Sequence, residues 1–219
     1  MSGIILEIDT EEFEMSVKVV WITPGAMETV AYCARVSNPA NQNNLATAPQ
    51  LIKYLIRNKH FSPFEMANAC LEITTTRDIA RQILRHRSFT FQEFSQRYAE
   101  VTSDFIFRDA RLQDTKNRQN SIDANDEILQ YKWRECQQEV SDVAQEVYEW
   151  AINNGIAKEQ ARAVLPEGMT QSRIYMNGTL RSWMHYIDTR CGNGTQREHM
   201  QIAQECRRAL EEKGIDLWT

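Results

Sequence analysis

The chain lacks any apolar run near the roughly 18 to 20 residues that a membrane span requires. Its opening residues, MSGIILEIDTEEFEMS, lack the basic start of a secretory signal and turn acidic at once. The five cysteines, Cys33, Cys70, Cys136, Cys191 and Cys206, are odd in number and form no C-x-x-C pair. They read as free thiols in a reducing compartment, not as a disulfide framework or a zinc site. The four histidines, His60, His86, His185 and His199, fall in no H-E-x-x-H or similar spacing, so no metal site is expected. Neither of the glycine-rich phosphate cradles, G-x-x-x-x-G-K-[ST] and G-x-G-x-x-G, occurs, and Ser95 is outside any G-x-S-x-G. Basic charge is not in excess either. A net charge of −5 speaks against a surface built throughout for nucleic acid, while leaving room for a local basic pocket. Together these absences point to a soluble, cytoplasmic protein.

What is present is ordinary globular composition, 42% hydrophobic and 25% charged, over 219 residues, with no internal repeat. The run VKVVWIT at 17–23 reads as a buried strand stopped by Pro24-Gly25. Residues 26–36 and 45–58 favour helix, the second with Pro49 in its first turn. A strand at 69–75 leads into a helix through about Arg87, with Thr75 or Thr76 as its cap. Phe105–Phe107 reads as a short strand, and 108–125, poor in apolar residues, as an exposed, mobile connection. Leu129, Trp133, Cys136, Val140, Val143, Val147 and Ala151 then recur every three or four residues, which predicts a long helix over about 126–153. Its stripe suits either the protein's own core or a neighbouring subunit. A short helix at 158–164, a strand at 171–178 and helices at 179–188 and 195–213 complete the pattern. Separated strands among many helices give an α+β fold, a mixed or antiparallel sheet flanked by helices, in a single domain over 1–219.

The chemistry gathers where charge does. Arg77, Arg81 and Arg85 stand at steps of four, and Arg87 and Arg97 bring the count to five arginines within 21 residues, against Asp78 and Glu93 alone. Such a run is commonly a solvated helix face. Here it alternates with aromatics and small polar groups and has few acids to pair with. Arginine grips phosphate or carboxylate through paired hydrogen bonds and stays charged at any physiological pH. Two further segments, EQARAVLP at 159–166 and GTLRSWMHYIDTRCGNGTQR at 178–197, carry Arg162, Arg181, His185 and Arg190. Several arginines at helix ends and turns suit a shared anionic site.

These segments together resemble one family. Arg85-His86-Arg87, seven residues and then Ser95, followed by Arg97 and Tyr98, is similar to the signature of the flavin-dependent thymidylate synthases. HFSPFE at 60–65, ARAVLP at 161–166 and the 178–198 region extend the resemblance in order over about 60 to 200. The resemblance implies synthesis of dTMP from dUMP. The methylene would come from 5,10-methylenetetrahydrofolate, and the hydride from reduced FAD replenished by NADPH. It also implies an α+β homotetramer whose sites are built from more than one subunit. Carried across residue by residue, Gln82, Arg85, Glu93, Ser95, Gln96, Arg97, Arg162 and Arg190 resemble dUMP contacts, with Arg190 also in a catalytic role. His60, Ser62, Arg85, His86, Arg87, Glu93, Arg181 and His185 resemble flavin neighbours. The chain departs from the family pattern at Met66, Thr179, His185 and Gly194, positions that bear on the flavin more than on the nucleotide.

Ser95 invites reading as a nucleophile, but a serine hydroxyl needs an adjacent base. His86, its nearest histidine in sequence, is flanked by arginines that favour the neutral ring. Ser95 is therefore expected to be a phosphate ligand. Two other classes compete with the enzyme. A single-stranded nucleic-acid module would stack bases on Phe89, Phe91 and Phe94 in the 77–98 segment, and a purely structural oligomer would use the 126–153 helix. The acidic charge weighs against the first, and the arginine clusters have no purpose in the second.

Overall fold

A computed structural model describes residues 15–101 and 105–218; most of the acidic amino-terminal stretch read above lies outside them. Four strands, β1 (Ser16–Ile22), β2 (Asn68–Thr76), β3 (Thr90–Glu93) and β6 (Gln171–Thr179), form one sheet in the order β1-β2-β6-β3. Every pairing is antiparallel. A register shift between Val19 and Trp21 marks a bulge on the edge strand β1. The central strands follow from their side chains. On β6, Ser172, Ile174, Met176 and Gly178 are buried while Arg173 and Tyr175 face out, the two-residue alternation of a sheet with one covered face. Ala69, Leu71, Ile73 and Thr75 of β2 are fully buried in register with that face.

The cover is helical: α1 (Ala26–Ala34), α2 (Ala48–Arg57), α3 (Arg77–Ile83), α6 (Leu180–Arg190) and α7 (Arg197–Glu211). Trp183 and Tyr186 of α6 and Ile202, Cys206 and Leu210 of α7 are buried with Phe64 and Phe89 in one apolar cluster. Trp183 places its indole N–H on the Ala69 carbonyl at 3.1 Å, so the large ring costs no unpaired donor. A smaller cluster joins α4 (Glu127–Asn153) to α5 (Lys158–Ala161) through Tyr148, Ala151, Ala161, Leu165 and Val101. Asp126 caps α4, accepting from the N–H groups of Ile128 and Leu129 at 3.0 and 3.1 Å.

Four expectations need correction. No strand forms at 105–107; instead Ile106 N–H donates to the Met169 carbonyl at 2.8 Å. Residues 108–125 are not a featureless connection but hold a hairpin, β4 (Arg111–Gln113) with β5 (Ser121–Asp123). Gln130 of α4 clamps its base, bonding Ala110 through N–H and carbonyl and also the Ala124 carbonyl. Helix α3 stops at Ile83, so Arg85, His86 and Arg87 stand in the turn beyond it. The Thr76 hydroxyl does not cap α3 but donates to Asp78 at 2.6 Å, while the N–H groups of Arg77 and Asp78 reach the carbonyls of Thr170 and Glu167. The α4 stripe, which the sequence left open between core and neighbouring subunit, points away from the chain's core except at Ala151. Trp133, Val140, Val143 and Val147 are 39–61% exposed, while Gln137, Ser141, Ala144 and Tyr148 take the buried face.

Candidate functional site

The short helix α3 and the edge strand β3 set the site. Between them the chain turns tightly, with His86 N–H on the Ile83 carbonyl and Phe89 N–H on that of His86. Phe89 anchors the turn by packing edge-on to Trp183 and Tyr186, with ring centroids 4.9 and 5.9 Å away. Arg85 and Arg87 are left exposed, and neither has a side-chain hydrogen bond or ion pair among the described residues. The other three arginines of the run find acids, one of them within the run and two from distant segments that the local sequence did not show. Arg77 lies 3.8 Å from Glu93, Arg81 pairs with Glu167, and Arg97 is 3.3 Å from Glu159.

Beside the turn, His86 Nε2 accepts a hydrogen bond from Arg190 Nε at 2.9 Å. His86 is therefore neutral, with its proton on Nδ1. Burial, then the Arg190 charge and then His185 push its pKa down to about 4. His199, on α7, is fully buried 6.2 Å from His86 between ring centroids. Burial, then Arg190 and His86 push it down to about 3. Both imidazoles are protonated near pH 6.5 in an unfolded chain and much lower in the folded one. Their burial thus costs stability as pH falls below about 6.5. Gln82, in the last turn of α3, joins this cluster through Gln196, its Nε2 donating to Gln196 Oε1 at 2.7 Å.

The sequence-predicted residues fall into groups. Gln82, His86 and Arg190 gather with Gln196 and His199. His185, whose charge is felt by His86, extends that group along α6. His60 and Ser62 stand exposed at the start of the SPFEM turn, whose Glu65 holds Arg181 at 2.8 Å. Ser95, Arg97 and Arg162 lie around Glu159, since Arg162 Nε donates to the Glu159 carbonyl at 3.3 Å. Gln96 is buried beside them, its Nε2 without a partner among the described residues. Glu93 accepts from the Ser172 hydroxyl at 3.0 Å at the end of β3. No hydrogen bond or ion pair joins the Glu159 group to the His86 group among the described residues. Ser95 Oγ accepts the Arg97 N–H at 3.4 Å and has no base beside it. Since His86 Nε2 is committed to Arg190, the nucleophile reading has no support in the geometry. Phe89 is buried and Phe91 packs against the core, which takes two of the three rings from the stacking platform a nucleic-acid module would need.

Sequence reasoning missed Gln196, Glu198, His199 and Arg111. Three of them stand in Gln-x-Glu-His at the start of α7, where only His199 was read for metal spacing, and nothing signalled Arg111. No group of three or more metal-ligating side chains occurs among the described residues. No helix among them is long and apolar enough to cross a membrane.

The arrangement offers unpaired guanidinium groups at a turn, a cation held on a neutral imidazole, and amides with free hydrogen-bonding capacity. That donor set suits anionic, phosphate-bearing ligands. Comparison with known proteins agrees. Residues 18–213 match the protein family described as thymidylate synthase complementing protein. The chain is 50% identical over 200 residues to the probable flavin-dependent thymidylate synthase of Paramecium bursaria Chlorella virus 1, covering 88% of this chain and 92% of that one. It is also 50% identical over 179 residues to the flavin-dependent thymidylate synthase of Synechocystis sp., covering 82% and 81%. Among solved structures, the UMP/dUMP methylase PolB of Streptomyces cacaoi bound with 5-Br dUMP superposes with a TM-score of 0.80. That match has 28% identity over 91% of this chain and 90% of that one.

Proposed function

The chain belongs to the flavin-dependent thymidylate synthase family, and on that premise we propose that it converts dUMP to dTMP by reductive methylation. The proposed methylene donor is 5,10-methylenetetrahydrofolate, with FAD as cofactor and NADPH as reductant. The observation that carries the proposal is the turn at 85–87. It presents two exposed arginines, unpaired among the described residues, beside the His86–Arg190 pair, on a chain that resembles a solved methylase holding a bromo-dUMP.

FAD supplies the hydride when bound; the chain's own residues bind and orient. Arg85, Arg87 and Arg181, with His60, Ser62, His86, Glu93 and His185, are proposed to hold the flavin. Gln82, Arg85, Glu93, Ser95, Gln96, Arg97, Arg162 and Arg190 are proposed to hold the nucleotide. Arg97 and Glu159 are both about half exposed. Their ion pair is worth little in water, so Arg97 is free to exchange it for a phosphate. Two features support a homotetramer with shared sites. The Glu159 and His86 groups are not bonded to each other among the described residues of one chain, and α4 exposes Trp133, Val140, Val143 and Val147 as an apolar stripe.

Purified protein is expected to be yellow, to bleach under NADPH without oxygen, to form dTMP from dUMP and methylenetetrahydrofolate, and to run as four copies of the 25.5 kDa chain. Colourless protein that FAD cannot reconstitute would end the enzyme reading. Within that reading, Ser95→Ala should keep most turnover, while Arg97→Ala should weaken dUMP binding by about tenfold, the loss of one charge-assisted contact. An inactive Ser95→Ala protein with normal dUMP affinity would restore the nucleophile.

A further inference from the structure

A chain of hydrogen bonds runs from the β4–β5 hairpin into the nucleotide site, and its direction can be read. Arg111 Nη2 donates to Glu198 Oε1 at 2.5 Å, with both side chains almost buried. Burial alone would raise the Glu198 carboxyl. The Arg111 hydrogen bond, its own backbone N–H and the Arg108 and Arg111 charges outweigh that and hold its pKa below the ordinary value. An ionised carboxylate only accepts. Gln196, 3.0 Å from Glu198 Oε2, must therefore offer its NH2 there, which turns its carbonyl towards Gln82. Gln82 must answer with its own NH2 at 2.7 Å, which turns its carbonyl towards His199, whose Nδ1 lies 3.3 Å away. His199 then has to donate. The other tautomer would set a nitrogen lone pair against the Gln82 oxygen. It would also bury an N–H at Nε2, where no partner exists among the described residues; a bare acceptor there is the smaller cost.

We propose that His199 is a positioning and specificity-determining residue. As the Nδ1–H tautomer it closes the chain that Arg111 and Glu198 polarise, and so fixes which way the Gln82 amide faces the pyrimidine. The proposal rests on the reading of Gln82 as a dUMP contact. With those bonds made, Gln82 keeps one carbonyl lone pair and one N–H. That pair complements a uracil edge, where N3–H donates and a neighbouring carbonyl accepts. A flipped amide would meet donor with donor and acceptor with acceptor. The flipped amide instead suits cytosine, whose N3 accepts and whose exocyclic amine donates. A locked amide thus reads uracil and rejects cytosine, because a site whose buried polar groups are left unpaired binds poorly.

The test uses the FAD-loaded protein and calorimetric binding of dUMP and dCMP, with no turnover needed. His199→Leu removes the donor and should weaken dUMP by about tenfold while narrowing its preference over dCMP. His199→Asn keeps a donor near the Nδ1 position and should hold both close to wild type. Gln82→Ala should weaken dUMP, and adding His199→Leu to it should cost little more, since the two act through one contact. If Gln82→Ala binds dUMP normally, the contact reading fails and the inference with it. If Gln82→Ala weakens dUMP but folded His199→Leu leaves affinity and preference unchanged, the reading survives and the inference does not. Should His199→Leu fail to fold, the wild-type protein still decides, since nitrogen-15 spectra of its four histidines report the His199 tautomer. A proton on Nδ1 supports the chain; a proton on Nε2 overturns it.

Discussion

Replacing Arg190 by alanine is expected to lower turnover by about a hundred- to a thousandfold, the scale seen when one preorganised donor to a reacting group is removed. Arg190 ends α6, where its Nε is anchored on His86 Nε2 at 2.9 Å and its two Nη groups make no hydrogen bond among the described residues. The planar fork is therefore held in orientation by the imidazole and left open for a ligand. Lysine should rescue little, since it has neither the Nε anchor nor the fork. A second readout does not depend on turnover. Burial is the larger cause of the low His86 pKa, and the Arg190 charge is the next. In the alanine variant His86 should titrate above its present value of about 4 yet stay below the ordinary 6.5, as followed by its ring proton shifts. A variant within a few-fold of wild-type turnover, or an unmoved His86, would remove Arg190 from the centre of the site.

Why one part of this site was legible in the sequence and another was not comes down to the range of the forces involved. Strands β2 and β6 were readable because their burial alternates or runs continuously over nine residues each. The arginine motif was readable because charge at a turn is a local property. Strand β3 was missed: TFQE is four residues long and exists because Thr90–Glu93 can pair with Asn177–Ile174 on the edge of the sheet. The β4–β5 hairpin was read as mobile because its residues are polar. Its order comes from partners far away in sequence, namely Arg111 on Glu198, Arg197 on Asp123 and Asn120 on Asn193. No periodicity announces such bonds. Helix α4 shows a subtler limit. Its length and period were correct, but the apolar stripe faces outward and the buried face holds Gln137 and Ser141. Gln137 is satisfied there by accepting the Arg108 N–H and donating to the Arg108 carbonyl, both at 2.9 Å. A hydrophobic pattern tells which residues want cover, not whether their own chain provides it.

The last dependence is steric. Gly178 sits on β6 opposite Ala69, and a Cβ added there would fall 2.4 Å from Phe89 Cδ1 and 2.7 Å from Cε1. Atoms that close must move, and the obstacle is a ring wedged between Trp183 and Tyr186, not a flexible side-chain tip. Overfilling a packed core costs about 1–3 kcal/mol, which for a chain of this length lowers the melting temperature by about 2–12 °C. Gly178→Ala is expected to fall in that range. The effect should reach the site, because Phe89 closes the turn that carries Arg85, His86 and Arg87, and displacing it should also lower the flavin retained on purification. Adding Phe89→Leu to Gly178→Ala removes the ring from the contested space, so the pair should melt higher than the sum of the single losses predicts. Strict additivity, or a Gly178→Ala protein that melts with the wild type, would mean that Phe89 can swing aside freely. In that case something other than this contact holds the arginine turn in place.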